Sequence, residues 1–188
     1  MPENIMQTYI SFLRGVNMTG HNSIKMTELS ALFNSIGLND AETFIQSGNV
    51  IFRKAGRVPV SALMVNIEKA ILERFNFTIP VMIRTKRELS DLFTSNPFLG
   101  ATDFDPAKMA VLFLHDEPSE KQIQKVTGID YPPDKFKIAG REIFIYCPNG
   151  FGRTKLYTNF FEKKMGVTGT ARNWKTITTI LTIAENKQ

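Results

Sequence analysis

Cysteine and histidine, which form disulfides and bind zinc, are nearly absent from this sequence. Its 188 residues include one cysteine, Cys147, and two histidines, His21 and His115. A single cysteine excludes an intrachain disulfide and is typical of a reducing compartment, so we expect a cytoplasmic protein. Structural zinc sites take four cysteine or histidine ligands, more than this chain has, and we expect neither a metal site nor a cofactor.

Long apolar runs and the common catalytic motifs are also missing. No stretch reaches the roughly 18 consecutive apolar residues of a membrane span, and the first residues lack the pattern of a signal peptide. The sequence contains no H-E-x-x-H, G-x-S-x-G, Walker A or G-x-G-x-x-G motif. We therefore predict no membrane contact and assign no catalytic residue. The sequence leaves open whether the protein is an enzyme.

The residues that are present indicate a folded and weakly basic protein. Apolar residues make up 43% of the chain and aromatic residues 11%, which excludes intrinsic disorder and allows a hydrophobic core. The net charge of +5 is concentrated in residues 151–188, which hold seven Lys or Arg and two Asp or Glu. Such an asymmetry attracts phosphates or an acidic partner, although a solvated basic helix face would look the same.

The spacing of apolar residues indicates an internal repeat. The order β-α-β-β-α-β, followed by a further helix, is predicted in residues 1–96 and again in residues 108–188, with residues 97–107 as a linker. This order is the ferredoxin-like pattern. We predict an α+β fold that is a tandem duplication of a ferredoxin-like unit, with the two halves packed as one compact unit.

The clearest correspondence between the halves lies at the start of the helix that ends each one. Arg84-Thr85 aligns with Arg172-Asn173, and an apolar helix pattern follows both pairs. Thr85 and Glu88 have the spacing of a capping box, and Asn173 is suited to cap the last helix.

Three loops at predicted helix starts carry donors that suit an anion. The first covers residues 14–25, ahead of a helix that Thr27 is expected to cap. Its candidate ligand-binding residues are Arg14, Asn17, His21 and Lys25. Glycines let the backbone amides of such a loop turn toward a ligand, and a helix N-terminus favours negative charge. The alternative is an ordinary long connection whose Asn and Gly residues serve turns.

The second loop, residues 149–155, precedes a helix that is predicted to begin at Thr154. Its candidate phosphate-binding residues are Gly152, Arg153 and Lys155. Two glycines followed by cationic and hydroxyl donors can hold a phosphate through both the main chain and the side chains. The alternative is that Thr154 is only a helix cap.

The third candidate site lies at the start of the last helix and consists of Arg172, Asn173, Trp174 and Lys175. Cations at a helix N-terminus are unfavourable on their own, so their presence indicates an anion nearby. Trp174 is suited to stack on a base, or else to anchor the helix as a half-buried ring.

Several of these segments resemble those of an uncharacterised, largely bacterial family known as domain of unknown function 1697. The matching segments are residues 13–17, 43–52, 96–98, 152–156 and 170–176. The resemblance implies an α+β fold of two ferredoxin-like halves and implies no activity. Where members often carry Gly-Gly after the first of these segments, this chain has Thr19-Gly20-His21, which adds a titratable donor.

We expect a phosphate-recognising binding protein for nucleic acid or a nucleotide. One alternative is an enzyme that acts on a phosphorylated or carboxylated small molecule, with Arg14, Lys25 and Arg153 holding the substrate. Another is a protein–protein interaction module that pairs through exposed sheet edges. The sequence predicts no oligomeric state.

Overall fold

The protein folds into two four-stranded antiparallel sheets with helices, as seen in a computed structural model that describes residues 5–18, 22–100 and 104–187. The predicted α+β fold with a duplicated unit is confirmed. The chain divides into two compact units, Met1–Asp91 with Thr179–Gln188 and Leu92–Thr178. The bounds predicted for the halves, and their packing as one compact unit, stay predictions.

The first unit has the strand order β2-β3-β1-β4, which is the ferredoxin-like order. Its elements are β1 (Met6–Leu13), α1 (Met26–Ser35), β2 (Asn39–Phe44), β3 (Asn49–Ala55), α2 (Val60–Phe75) and β4 (Val81–Thr85). Leu63, Ile67 and Ile71 recur at every fourth position of α2, so they share one face of the helix. They are buried in a core that includes Tyr9 and Phe52 of the sheet.

The second unit repeats this arrangement with the order β6-β7-β5-β8. Its elements are β5 (Met109–Leu114), α4 (Glu120–Gln124), β6 (Lys135–Ala139), β7 (Glu142–Tyr146), α5 (Thr158–Phe161) and β8 (Gly169–Asn173). Further helices, α3 (Lys86–Ser95) and α6 (Trp174–Asn186), follow β4 and β8 directly. Each half is therefore followed by an additional helix, as predicted.

Strand register shows which residues of the two units are equivalent. Tyr9 of β1 lies opposite Thr85, and Ala110 of β5 lies opposite Asn173. The Thr85 hydroxyl accepts a hydrogen bond from the Glu88 amide (3.1 Å), and Asn173 Oδ1 likewise accepts one from the amide three residues later (2.8 Å). Both predicted helix caps are present, and they occupy the same position in the two units.

Two predicted helix starts are wrong. The first helix begins at Met26, because the carbonyl of Lys25 already accepts the Leu29 amide (3.0 Å), so Thr27 lies inside the helix and does not cap it. The predicted helix at Thr154 starts only at Thr158. The Thr154 hydroxyl instead accepts the amide of Leu156 (3.0 Å), a local bond that competes with helix formation.

The turn between β2 and β3 packs tightly against the loop that follows β1. The amide of Leu13 donates to the carbonyl of Gly48 (2.8 Å), and Gly48 has a φ of +72°. A Cβ at Gly48 would lie 2.8 Å from the Cβ of Leu13 and 3.3 Å from that of Val16. Glycine is required here both for the backbone conformation and for the close approach.

We expect Gly48→Ala to cost about 1–3 kcal/mol more in unfolding free energy than Gly15→Ala, because only the first adds a steric clash. Gly15 is a matched control, since it has the same φ of +72° and a Cβ placed there would meet no atom within 4 Å beyond its chain neighbours. Urea unfolding of the two variants measures the difference, and equal losses would contradict the close packing at Gly48.

Candidate anion-binding site

The side chain of Asn17, which is predicted to bind an anion, forms hydrogen bonds that hold its own loop in place. Its Nδ2 donates to the carbonyls of Ile24 and Gln46, both at 3.0 Å, and its Oδ1 accepts the Ile24 amide at 2.8 Å. Its φ of 56° places it in the left-handed region that asparagine tolerates. The structure therefore gives Asn17 a role in joining this loop to the β2–β3 turn.

Arg14 and Lys25, the other predicted residues of the first loop that the structure describes, do not line a cavity described for the first unit. The amide of Arg14 donates to the carbonyl of Pro80 (3.0 Å), and Lys25 is exposed ahead of α1. His21 lies outside the residues that the structure describes. Ligand binding by this loop stays a prediction.

Two residues of the second loop, Arg153 and Lys155, line a cavity of about 320 Å³ in the second unit, which we call the mixed-charge cavity. Asp130 and Asp134 line it as well, so carboxylates face the two predicted cations. Lys155 Nζ also lies 5.3 Å from the centre of the Tyr131 ring, a cation–π contact. Gly152, the third predicted residue, is exposed and not part of the lining.

Cys147 lies beside the mixed-charge cavity and is fully buried. Burial raises the pKa of its thiol, and the carboxylate of Asp134 raises this pKa further, whereas a hydrogen bond with Thr154 opposes the shift. A raised pKa keeps the thiol protonated and unreactive at neutral pH. The structure gives Cys147 no nucleophilic role.

Iodoacetamide should label Cys147 slowly in the folded protein, even at pH 9, and rapidly in urea. Folding raises the pKa of the thiol, so the thiol of the unfolded chain ionises at a lower pH than the buried thiol. The free energy of unfolding therefore falls as the pH rises from the usual pKa of a thiol toward the raised one. Mass spectrometry of quenched samples gives the labelling rate. Equal rates in buffer and in urea would contradict the burial of the thiol.

The third predicted site is built into the second unit. Trp174 is 7% exposed, and its ring centre lies 4.5 Å from that of Phe93. The guanidinium of Arg172 donates to Thr170 Oγ1 (2.7 Å) and to the carbonyl of Ala171 (2.8 Å), and burial lowers its pKa to about 10. Arg172 therefore stays charged at neutral pH, held by oxygen acceptors of its own strand.

Of the remaining residues at this site, Asn173 caps α6 and Lys175 is exposed. The structure thus uses Arg172, Asn173 and Trp174 for packing and capping. Ligand binding at these four residues stays a prediction.

We expect acrylamide to quench the fluorescence of Trp174 several-fold less in the folded protein than in urea, because the ring is buried against Phe93. A Stern–Volmer comparison with free tryptophan measures the accessibility. Quenching in buffer as strong as that of free tryptophan would show that the ring is open to solvent and to bases.

A set of cations that none of these motifs includes surrounds a second cavity, in the first unit. This cavity, which we call the basic pocket, has a volume of about 620 Å³. Its charged lining residues are Arg53, Arg57, Lys86, Arg87 and Lys187. Its other lining residues are Ile5, Met6, Gln7, Thr8 and Gly56.

Acidic residues of β2 hold two of the five cations. Arg53 Nη1 lies 3.2 Å from Asp40 Oδ2, and Lys187 Nζ lies 3.0 Å from Glu42 Oε2. Lys187 also donates to the carbonyl of Asp40 (2.8 Å). Neither carboxylate lines the pocket.

The other three cations, Arg57, Lys86 and Arg87, make no ion pair within residues 5–18, 22–100 and 104–187. Lys86 and Arg87 occupy the first turn of α3, where the helix dipole disfavours positive charge. The arrangement can therefore bind an anion without first breaking an internal ion pair of these three residues.

The equivalent corner of the second unit is filled by aromatic rings. Thr8 lies opposite Arg53, and Met109 lies opposite Tyr146, so Tyr146 is the counterpart of Arg53. The ring of Tyr146 contacts Phe98 and Phe104, with centres 5.7 and 5.8 Å apart. The same position of the duplicated fold thus carries a cationic pocket in one unit and an aromatic cluster in the other.

Comparison with known proteins places the chain in a family without assigning it an activity. Residues 6–144 match the family described as "Protein of unknown function (DUF1697)". The chain belongs to this family. Arg53, Arg57, Lys86 and Arg87 lie inside the stretch that matches DUF1697, and Lys187 lies beyond it.

Among solved structures, the chain is similar to that of a conserved bacterial protein from Streptococcus pneumoniae. The two are 21% identical, the similarity covers 97% of this chain and 100% of that one, and the TM-score is 0.71. This likeness concerns the fold alone. No curated protein matches the chain.

Within the described residues of this DUF1697 member, no group of three His, Cys, Asp or Glu side chains is placed to hold a metal ion. None of the helices described has the length and apolar character needed to cross a membrane.

One sequence signal could have revealed part of the basic pocket. The repeat aligns Arg84-Thr85 with Arg172-Asn173, so Lys86 and Arg87 correspond to Trp174 and Lys175. The reasoning that cations in the first turn of a helix indicate an anion applies to Lys86 and Arg87 as well. The other three cations, Arg53, Arg57 and Lys187, lie far from α3 in the sequence and form no motif.

Proposed function

We propose that the protein is a phosphate-recognising binding protein and that its ligand, a nucleotide or a phosphate of a nucleic acid, binds in the basic pocket. The observation that carries this proposal is the lining of that pocket: five cations around one cavity, three of which make no ion pair within the described residues. Like charges brought together without a counter-charge repel one another, and a bound anion would offset that repulsion.

The size and the uncharged lining of the pocket support a small organic phosphate. Its volume of about 620 Å³ falls within the range of small-molecule sites. Ile5 and Met6 offer apolar surface beside the cations. The Tyr9 hydroxyl donates to Oε1 of Gln7 (2.7 Å), which fixes the Gln7 amide and leaves its Nε2 as a hydrogen-bond donor.

The test is a titration of the ¹⁵N-labelled full chain with ADP, followed by NMR and by calorimetry. We expect the amide signals of Thr8, Gly56, Arg57 and Arg87 to shift. Arg57→Ala and Arg87→Ala should each weaken binding about tenfold, since each removes a charge-assisted hydrogen bond. Higher salt should weaken binding further.

Lys69→Ala is the matched control for these variants. Lys69 is 71% exposed on α2, pairs with Glu73 at 3.8 Å, and does not line the basic pocket. The Lys69→Ala substitution removes the same charge as Arg57→Ala. Equal losses of affinity in the two variants would show that binding depends on net charge and would contradict a specific site. If a short single-stranded RNA binds the unaltered protein no more tightly than it binds the Arg57→Ala variant, nucleic acid binds elsewhere on the protein.

A second candidate function, an enzyme acting on a phosphorylated or carboxylated small molecule, is favoured by the mixed-charge cavity. Arg153 and Lys155 can bind an anionic group there, and Asp130 and Asp134 are carboxylates capable of proton transfer in the same cavity. In the same NMR titration, shifts confined to Gly150, Arg153 and Lys155 would favour this candidate over the basic pocket.

A further inference from the structure

The ion pairs around the basic pocket determine how much negative charge a ligand must bring. Arg53 and Lys187 are neutralised by Asp40 and Glu42, at 3.2 and 3.0 Å. Their side chains are 22% and 15% exposed, whereas Arg57 and Arg87 are among the exposed residues. Within residues 5–18, 22–100 and 104–187, three lining cations without an ion pair remain for a ligand: Arg57, Lys86 and Arg87.

Three cations that have no ion pair among the described residues match a diphosphate better than a single phosphate. A phosphate monoester carries about 1.5 to 2 negative charges near neutral pH, whereas two linked phosphoryl groups carry about 3. A monophosphate would leave positive charge uncompensated in the pocket. Among the described lining residues, the cations left for a third phosphoryl group are Arg53 and Lys187, whose charges the carboxylates of β2 already offset.

Resting on the function proposed above, we propose that the basic pocket selects a diphosphate group. Arg57, Lys86 and Arg87 bind its oxygens, and Asp40 and Glu42 limit the pocket to two phosphoryl groups by holding Arg53 and Lys187. The two carboxylates are thus specificity-determining residues that do not contact the ligand. The uncharged part of the ligand lies along Ile5, Met6 and Gln7, which favours an organic diphosphate.

The experiment compares phosphate, pyrophosphate and tripolyphosphate by calorimetry on the full chain, without divalent metal and at constant ionic strength. We expect pyrophosphate to bind about 30-fold more tightly than phosphate, and tripolyphosphate within about threefold of pyrophosphate. Arg57→Ala should reduce the preference for pyrophosphate over phosphate, and Lys69→Ala should leave it unchanged.

Neutral variants of the β2 carboxylates test whether these carboxylates limit the pocket to two phosphoryl groups. Asp40→Asn and Glu42→Gln each free one cation, so each should make tripolyphosphate bind several-fold more tightly than pyrophosphate, and the double variant should do so by about tenfold. Both positions are about half exposed, at 56% and 51%, and thermal unfolding of each single variant checks that the fold is kept.

The outcomes separate this inference from the proposed function. If pyrophosphate binds no more tightly than phosphate, the diphosphate inference fails and the anion site stands. The same holds if tripolyphosphate binds the unaltered chain more tightly than pyrophosphate by the factor that separates pyrophosphate from phosphate. Unchanged ligand preference in the two β2 variants also overturns it. If none of the three anions binds, the proposed function fails as well.

Discussion

The basic pocket depends on the position of β1 between β3 and β4. Both neighbours run antiparallel to β1, so both end at the edge of the sheet where β1 begins. Residues that follow these two strands must meet there. The topology therefore brings Arg57, which follows β3, into one cavity with Lys86 and Arg87, which follow β4, although about thirty residues separate them in the sequence.

Duplication supplied the same corner twice, and the two copies use it differently. In the second unit, Tyr146 holds the position of Arg53, and its hydroxyl accepts the amide of Asp105 at 3.1 Å. Packed rings stabilise a fold by burying apolar surface, whereas clustered cations cost free energy unless they bind a partner. The contrast shows that the fold itself does not require a cation at the position of Arg53.

Local patterns predicted the fold well, because the elements have strong local causes. Runs of aromatic and β-branched residues indicated the strands, and the spacing of Thr85 and Glu88 indicated a helix start that the structure contains. The helix expected to begin at Thr154 does not begin there, because the hydroxyl of Thr154 accepts a hydrogen bond from the amide of Leu156. Threonine forms such local hydrogen bonds in turns as well as in helix caps.

The candidate site was much harder to predict. Trp174 looked suited to ligand contact, and only tertiary packing against Phe93 shows that its ring is buried. The pocket cations are spread over residues 53–187, so no short window contains the site. Charge counting also pointed elsewhere, since the first 150 residues are neutral overall and yet supply four of the five pocket cations.

The lining of the basic pocket includes Ile5 and Lys187, which lie near opposite ends of the sequence. Any tag or fusion partner joined to either end of these 188 residues would therefore emerge within a few residues of the cavity. A histidine tag placed there would add titratable, metal-binding side chains beside the cations. Ligand screens on this protein consequently call for cleaved material, with the linker left by cleavage kept short and uncharged.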